Sequence, residues 1–262
     1  MSDTAILTEY DDGVLLVTLN RPHKRNAFDD AQWDGLAEAL DQARGDDSVA
    51  VVVMTGAGED FSSGQDLSAF GTATGPRADG NPTGFQGCVD AVFEFDKPLL
   101  AAVKGVAVGG GATLAIASDI VYVGESVRLR LPFVSLGLVP EGASSYLLQQ
   151  VVGSRQAAEL FYSAEWIDAA RAVEVGIATA RFPDEALLEA TLARAREIAQ
   201  WPVGALRATK RTLLAAHAAG IRAALEAEDA GMSVQAGSPE NMEAVRAFLE
   251  KRPPDFKALR SR

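Results

Sequence analysis

Residues 6–10 and 14–19 are short apolar-rich runs separated by Asp11-Asp12-Gly13. Asp and Gly tolerate the dihedral angles of a tight turn, so the chain is predicted to open with a β-hairpin. From 29 to 44 the spacing changes. Ala31, Trp33, Leu36, Ala37, Leu40 and Ala43 recur at helical intervals, which predicts a helix with Asp29 or Asp30 capping its start. Residues 49–54 are apolar without a break, as a strand covered on both faces requires, and Thr55-Gly56-Ala57-Gly58 ends the run. Residues 99–103 repeat that pattern after Lys97-Pro98, and residues 120–123 repeat it after a Gly-rich turn and a short helical stretch. Strands alternating with helices predict an α/β fold with a mainly parallel sheet. From Ala186 onward the periodicity is helical, through 187–199, 203–216, 221–236 and 239–250. That shift separates a core, residues 1–200, from a helical part, residues 201–262, near Trp201-Pro202. Residues 71–87, rich in Gly, Thr and Pro, predict a mobile surface loop, either covering a site or simply without order. No repeat of fixed period is visible.

Composition narrows the functions such a chain can have. At 262 residues, 48% hydrophobic and 23% charged, it can bury a large core. Its 36 acidic against 24 basic residues, a formal charge of −12, exclude the dense cationic face that nucleic acids and anionic membranes demand. A phosphate-bearing ligand must then meet a local basic cluster. A single cysteine, Cys88, excludes a disulfide framework and a thiolate metal site, and His23 and His217 are too few for a histidine-rich one, so no metal is expected. The start Met1-Ser2-Asp3-Thr4 has no basic segment ahead of an apolar one, and no window approaches the roughly 18 apolar residues of a membrane span. A soluble, cytoplasmic protein is the expectation.

Two turns carry candidate chemistry. Gly109-Gly110-Gly111 follows the 99–103 strand and precedes the apolar stretch 113–117, where a strand turns into a helix. Glycines there let a ligand approach the backbone, and exposed N–H groups at a helix start favour negative charge. Tight packing of a helix on a sheet is the competing use of three glycines. Phe61-Ser62-Ser63-Gly64-Gln65-Asp66-Leu67 forms a second turn just after the 49–54 strand. In a parallel sheet both turns emerge at the carboxyl edge, where α/β folds bind ligands, so two donors can converge. A G-x-x-x-x-G-K-S/T loop is absent, and no G-x-G-x-x-G opens the first helix, which weakens a nucleotide-phosphate reading.

These stretches resemble the enoyl-CoA hydratase/isomerase (crotonase) superfamily. The resemblance rests on Arg21-Pro22-x-x-Arg25-Asn26-Ala27, the 61–67 turn, Val103-Lys104-Gly105-Val106-Ala107-Val108 with the three glycines, Ala117-Ser118-Asp119-Ile120-Val121, and Phe248-Leu249-Glu250-Lys251-Arg252-x-Pro254-x-Phe256. They occur in family order across nearly the whole chain. The resemblance implies a spiral of ββα units over residues 1–200, a C-terminal trimerisation region over 201–262, and a homotrimer or homohexamer. It also implies an acyl-CoA substrate with no separate cofactor, since coenzyme A enters as part of the thioester. By motif position, the backbone N–H groups of Gln65 and Gly110 form an oxyanion hole for the thioester oxygen. Family members often carry Ala where Gln65 stands.

The resemblance also bears on the base. Hydratases carry two glutamates, and the matching positions here are Thr113 and Phe133. Leu136-Gly137-Leu138-Val139-Pro140-Glu141-Gly142-Ala143-Ser144-Ser145-Tyr146 instead looks like the 3,2-enoyl-CoA isomerases, whose single glutamate corresponds to Glu141. One carboxylate suffices for that reaction, taking a proton from C2 and returning it at C4. Apolar neighbours raise the proton affinity of Glu141 and a helix start lowers it, and the sequence does not rank the two. Ser144 is placed to cap that helix. Lys24 and Arg25 are expected along the coenzyme A path, Ala27, Ser63, Gln65, Asp66, Leu67 and Gly109 as further substrate-binding residues, and Thr113 and Phe133 as pocket walls. Lys251 of a neighbouring subunit is expected at the coenzyme A phosphates. His23 reads as an exposed turn residue, His217 as structural, and Asp119 as holding a turn. A hydratase or another crotonase reaction, and a non-catalytic acyl-CoA-binding protein, are the alternatives.

Overall fold

In the computed structural model, which describes residues 4–66 and 82–260, the opening hairpin forms as its turn chemistry demands. Strands β1 (Ile6–Asp11) and β2 (Val14–Leu19) pair antiparallel, with Ile6 opposite Leu19. Helix α1 (Asp30–Gly45) starts at Asp29, whose side chain accepts from the Gln32 N–H. The chain continues through β3 (Val51–Gly56), α2 (Gly84–Glu94), β4 (Leu99–Val103), β5 (Val106–Val108), α3 (Gly110–Ala117), β6 (Ile120–Gly124) and β7 (Arg128–Arg130). Then come α4 (Ser144–Val152), α5 (Ser154–Ser163), β8 (Trp166–Asp168), α6 (Ala169–Glu174), β9 (Ala180–Phe182) and α7 (Asp184–Ala199). Helices α8 (Val203–Ala215), α9 (Ala218–Gln235), α10 (Pro239–Leu249) and α11 (Lys257–Arg260) complete it.

Six strands form one sheet in the order β1-β2-β3-β4-β6-β9, parallel from β2 onward. The unbroken apolar run of β3 now has its reason. Val52 and Met54 pack with Trp33, Leu36 and Leu40 of α1 on one face, while Val51 and Val53 pack with Ala195 of α7 on the other.

A second sheet, β5-β7-β8, lies beside the first. The chain steps from one sheet to the other after β2, β3, β4 and β6. β4 leads to β5 and β6 to β7, and the segments after β2 and β3 make the same step as isolated parallel bridges, Phe28 with Gln65 and Ser62 with Ala107. This is the expected spiral. The strands that begin its turns start at Val14, Val51, Leu99 and Ile120, at unequal intervals, which hides the repeat from the sequence.

Three expectations are corrected here. The triple glycine follows β5, not the 99–103 strand, so it joins the small sheet to α3. Residues 84–87 of the expected loop are the first turn of α2, while residues 67–81, with Leu67, lie outside the described residues. Ser144 does not cap α4: Ala143 is the N-cap, and the Ser144 hydroxyl is buried without a partner among the described residues. Among the described residues, no helix is long and apolar enough to cross a membrane.

Candidate active site

The two turns meet because both spiral steps end at the same edge. Ser62 donates its N–H to Val106 O at 3.0 Å and accepts from Val108 N at 3.0 Å, which fastens the 61–66 turn to β5. Asn26, wholly buried, ties in the preceding step. Its side-chain amide donates to Ala57 O at 2.9 Å and Asp60 O at 2.7 Å, and its oxygen accepts from the Arg21 N–H at 2.9 Å. Phe28 then donates to Gly64 O and accepts from Asp66 N, both at 2.8 Å. In a parallel bridge of that register, the residue between the two partners turns its own N–H the other way. That residue is Gln65, and its N–H faces away from Phe28.

Gly64 sets how near the other turn comes. With φ +85°, it lies so close to β5 that an added Cβ would sit 2.5 Å from Val108 O and 3.5 Å from the Gly110 N. Gly110 opens α3 and so presents its N–H from a helix start, beside the Gln65 turn. Replacement Gly64→Ala should therefore lower stability by about 2 kcal/mol or more, read as a fall in the denaturant midpoint at constant slope.

Glu141 closes the arrangement. A Cβ on Gly110 would lie 3.5 Å from Glu141 Oε1 and about as near the Trp33 ring, at 3.0 and 3.1 Å, so carboxyl and indole both border the Gly110 backbone. Trp33 stacks on Phe28 with centroids 3.7 Å apart, meets Phe85 edge-on at 5.2 Å, and donates its indole N–H to Gln65 Oε1 at 2.9 Å. The Gln65 side chain is thereby turned onto the aromatic wall. A small apolar cavity of about 10 Å³ is bordered by Phe85, Val89, Gly110, Thr113, Leu114 and Gly142.

Burial pushes the Glu141 carboxyl up to about 7, and the negative charge of Glu228 adds to the rise. The residue keeps some accessible surface, as a group facing a cleft does, yet its carboxyl is closely surrounded by protein. The helix start that opposes the rise is claimed by another group. Glu228 on α9 accepts from Ala143 N at 2.7 Å and Ser145 N at 2.9 Å, so it, not Glu141, satisfies the donors of α4. Burial also raises the proton affinity of Glu228, and those hydrogen bonds act against it.

Other expected site residues fall into place unevenly. Lys24 and Arg25 are exposed at the mouth of the 61–66 turn, Lys24 Nζ 3.7 Å from Asp66 and Arg25 Nε 3.6 Å from Asp60. Arg21 joins that cluster 3.1 Å from both Asp66 and Asp29, and donates to Ala27 O. Ser63 donates its N–H to Arg25 O at 2.9 Å, and Gly109 adopts φ +52° ahead of α3. The Thr113 hydroxyl is buried without a partner among the described residues. Phe133 is directed into the main core against Phe161, centroids 6.2 Å apart, and does not border the cavity beside Gly110. Lys251 is exposed after α10, while Arg252 is engaged by Glu243 and Glu250 at 2.6 Å each. His23 is exposed, His217 Nδ1 lies 3.0 Å from the Tyr146 hydroxyl, and Asp119 accepts from the Leu99 N–H at 2.7 Å.

Two residues of the site escaped the sequence reading. Trp33 fits the core periodicity of α1 and gives no sign of its hydrogen bond to Gln65. Glu228 does carry a signal: with Ile221 and Ala224 it occupies the buried stripe of α9, an acid where the helical spacing calls for an apolar residue.

Residues 9–259 match the sequence profile of the enoyl-CoA hydratase/isomerase family. The 2,3-dehydroadipyl-CoA hydratase of Escherichia coli K12 is 36% identical over 244 residues, 93% of this chain and 95% of that protein. The 1,2-epoxyphenylacetyl-CoA isomerase of the same organism is 34% identical over 255 residues, 96% of this chain and 97% of that one. Among solved structures, an enoyl-CoA hydratase/isomerase from Pseudoalteromonas atlantica T6c superposes with a TM-score of 0.90 at 32% identity, covering 96% of this chain and 99% of its own. With the spiral of paired sheets and the two converging turns already described, this likeness over almost the full length makes the chain a member of the enoyl-CoA hydratase/isomerase family, an acyl-CoA enzyme.

Proposed function

We propose that the enzyme moves the double bond of a 3-enoyl-CoA thioester to the 2-position, with Glu141 as its only acid/base group. The observation that carries this reading is the Glu141 carboxyl beside Gly110, its proton affinity matched to neutral pH, with Thr113 and Phe133 at the positions of the hydratase glutamates. The Glu141 carboxylate removes a proton from C2. The electron pair moves toward the thioester oxygen, and the N–H groups of Gln65 and Gly110 hold the charge of the dienolate. The protonated Glu141 then returns the proton at C4, leaving the double bond between C2 and C3. A carboxyl near pH 7 serves both halves, because neither its acid nor its base form is scarce.

Lys24 and Arg25 supply the basic cluster that an otherwise acidic protein needs for the coenzyme A phosphates, with Ala27, Ser63, Asp66 and Gly109 lining the approach. Residues 201–262 serve as the subunit-contact region of a trimer or hexamer, in which Lys251 reaches a neighbour's ligand. Val234, Phe248 and Leu249, 73%, 61% and 71% exposed, supply apolar surface for that contact.

Water addition to a 2-enoyl-CoA is the second reading, favoured by the unpaired Thr113 hydroxyl in the cavity wall. A panel of 2-enoyl- and 3-enoyl-CoA thioesters, followed in parallel for hydration and double-bond shift, tests the proposal. The shift should be the faster reaction by at least about tenfold, about 1.4 kcal/mol in the barrier. Hydration outpacing the shift would assign the enzyme to the second reading.

A further inference from the structure

We propose that Glu228 is a positioning residue for Glu141, its two backbone hydrogen bonds setting where that carboxylate stands. This rests on the reading of Glu141 as the acid/base group. Glu141 is followed by two residues in the left-handed region, Gly142 at φ +62° and Ala143 at φ +59°. Ala143 is an unfavourable choice there, so surrounding contacts must hold the turn. Glu228 supplies them: Oε2 accepts from Ala143 N and Oε1 from Ser145 N, at 2.7 and 2.9 Å, across 85 and 83 residues of sequence. Buried to 5% exposure, it has no solvent to compensate a lost partner.

The rest of α9 is shaped to the same segment. Gly231 lies against Val139, where an added Cβ would be 3.1 Å from both methyl groups, and Gly220 lies against the Tyr146 ring at 2.4 Å. Ile221 and Ala224 enclose Ala143. One helix thus seats the segment on both sides of Glu141, and the acid on its buried stripe grips the middle. The titratable groups on the packed elements are Tyr146 on α4, His217, Arg222, Glu226, Glu228 and Asp229 on or beside α9, Cys88, Asp90 and Glu94 on α2, and Asp30, Asp34, Glu38, Asp41 and Arg44 on α1, while α3 brings none. Of these, Glu228 is the charge that acts on Glu141.

Glu228→Gln tests this. The amide oxygen accepts from one N–H, the NH₂ opposes the other, and the charge is gone. Turnover should fall about 10- to 100-fold with KM within about threefold, as expected for a misplaced reacting group. The acid limb of the kcat profile should move to lower pH, because the deprotonated Glu141 loses a like-charged neighbour. A readout free of the reaction is the protonated-carboxyl infrared band of Glu141, assigned by its loss in Glu141→Gln and followed against pH. That titration should also move down in Glu228→Gln, even if the thioester panel reveals hydration instead of isomerisation. An unmoved titration overturns the proposal. Should Glu228→Gln fail to fold, Glu228→Asp keeps the charge and shortens the reach: lowered kcat at unchanged KM supports the proposal, and wild-type kcat overturns it.

Discussion

Glu141→Gln is expected to lower double-bond isomerisation by about 10²- to 10⁴-fold while acyl-CoA affinity stays within a few-fold, measured by single-turnover kinetics and by titration of a saturated acyl-CoA. The amide keeps the shape of the carboxyl beside Gly110 but takes no proton. In the wild type, the rate should rise with pH and level off above about 7, since the base form is needed to start the reaction. The residual rate of the variant should lack that limb. Stability carries the opposite sign. The folded-state value of about 7 stands above the ordinary 4.5, so between those values the native state holds a proton that the unfolded chain has released. Stability therefore declines as pH rises through that window. Removing the carboxyl removes the decline, and Glu141→Gln should be more stable than the wild type at pH 8 by up to about 3 kcal/mol. Activity within tenfold of wild type would place the base elsewhere.

Reducing the thioester carbonyl of a bound acyl-CoA to a methylene should weaken binding by roughly 1 to 3 kcal/mol, measured calorimetrically against the intact thioester. The expectation follows from the backbone alone. The parallel bridge to Phe28 turns the Gln65 N–H away from Phe28, Gly64 brings that turn against β5 and near the Gly110 N, and Gly110 opens α3. In the proposed oxyanion hole both donors are left unpaired by the thioether. This probe leaves the protein untouched, whereas Gly110→Ala would also drive a methyl against Trp33. Equal affinity for the two ligands would remove the oxyanion hole from these positions.

Long uniform patterns were legible in the sequence and short or mixed ones were not. The α1 helix, β3 and β4 announce themselves because each is apolar on every face it buries. The strands of the small sheet do not, because Val106–Val108, Arg128–Arg130 and Trp166–Asp168 are only three residues long, and the last two carry charged residues. The start of α2 was hidden by Gly84 and Gly87, residues that ordinarily interrupt helices. Motif order singled out Gln65, Gly110 and Glu141 as candidates, and the structure brings their turns together. Composition told nothing of direction: Phe133, apolar and near the motif, is equally suited to a pocket wall or a core, and it packs in the core. The proton affinity of Glu141 was unreadable for a physical reason. It depends on which carboxylate takes the start of α4, and that carboxylate belongs to a helix remote in sequence.

The reliance of the Glu141 turn on α9 also fixes an order of events in the life of the chain. Every strand of both sheets is complete by Phe182, well before α9 begins at Ala218. Protein synthesis delivers residues from the amino end, so the scaffold can close while the partner of Ala143 and Ser145 has yet to emerge. On the proposed roles of Glu141 and Glu228, a nascent chain at that stage possesses the carboxylate and both turns, while the left-handed turn after Glu141 still lacks the acceptor of its N–H groups. Competence thus arrives after shape, and a partly made copy already folded around its sheets would hold no finished active site with which to consume acyl-CoA.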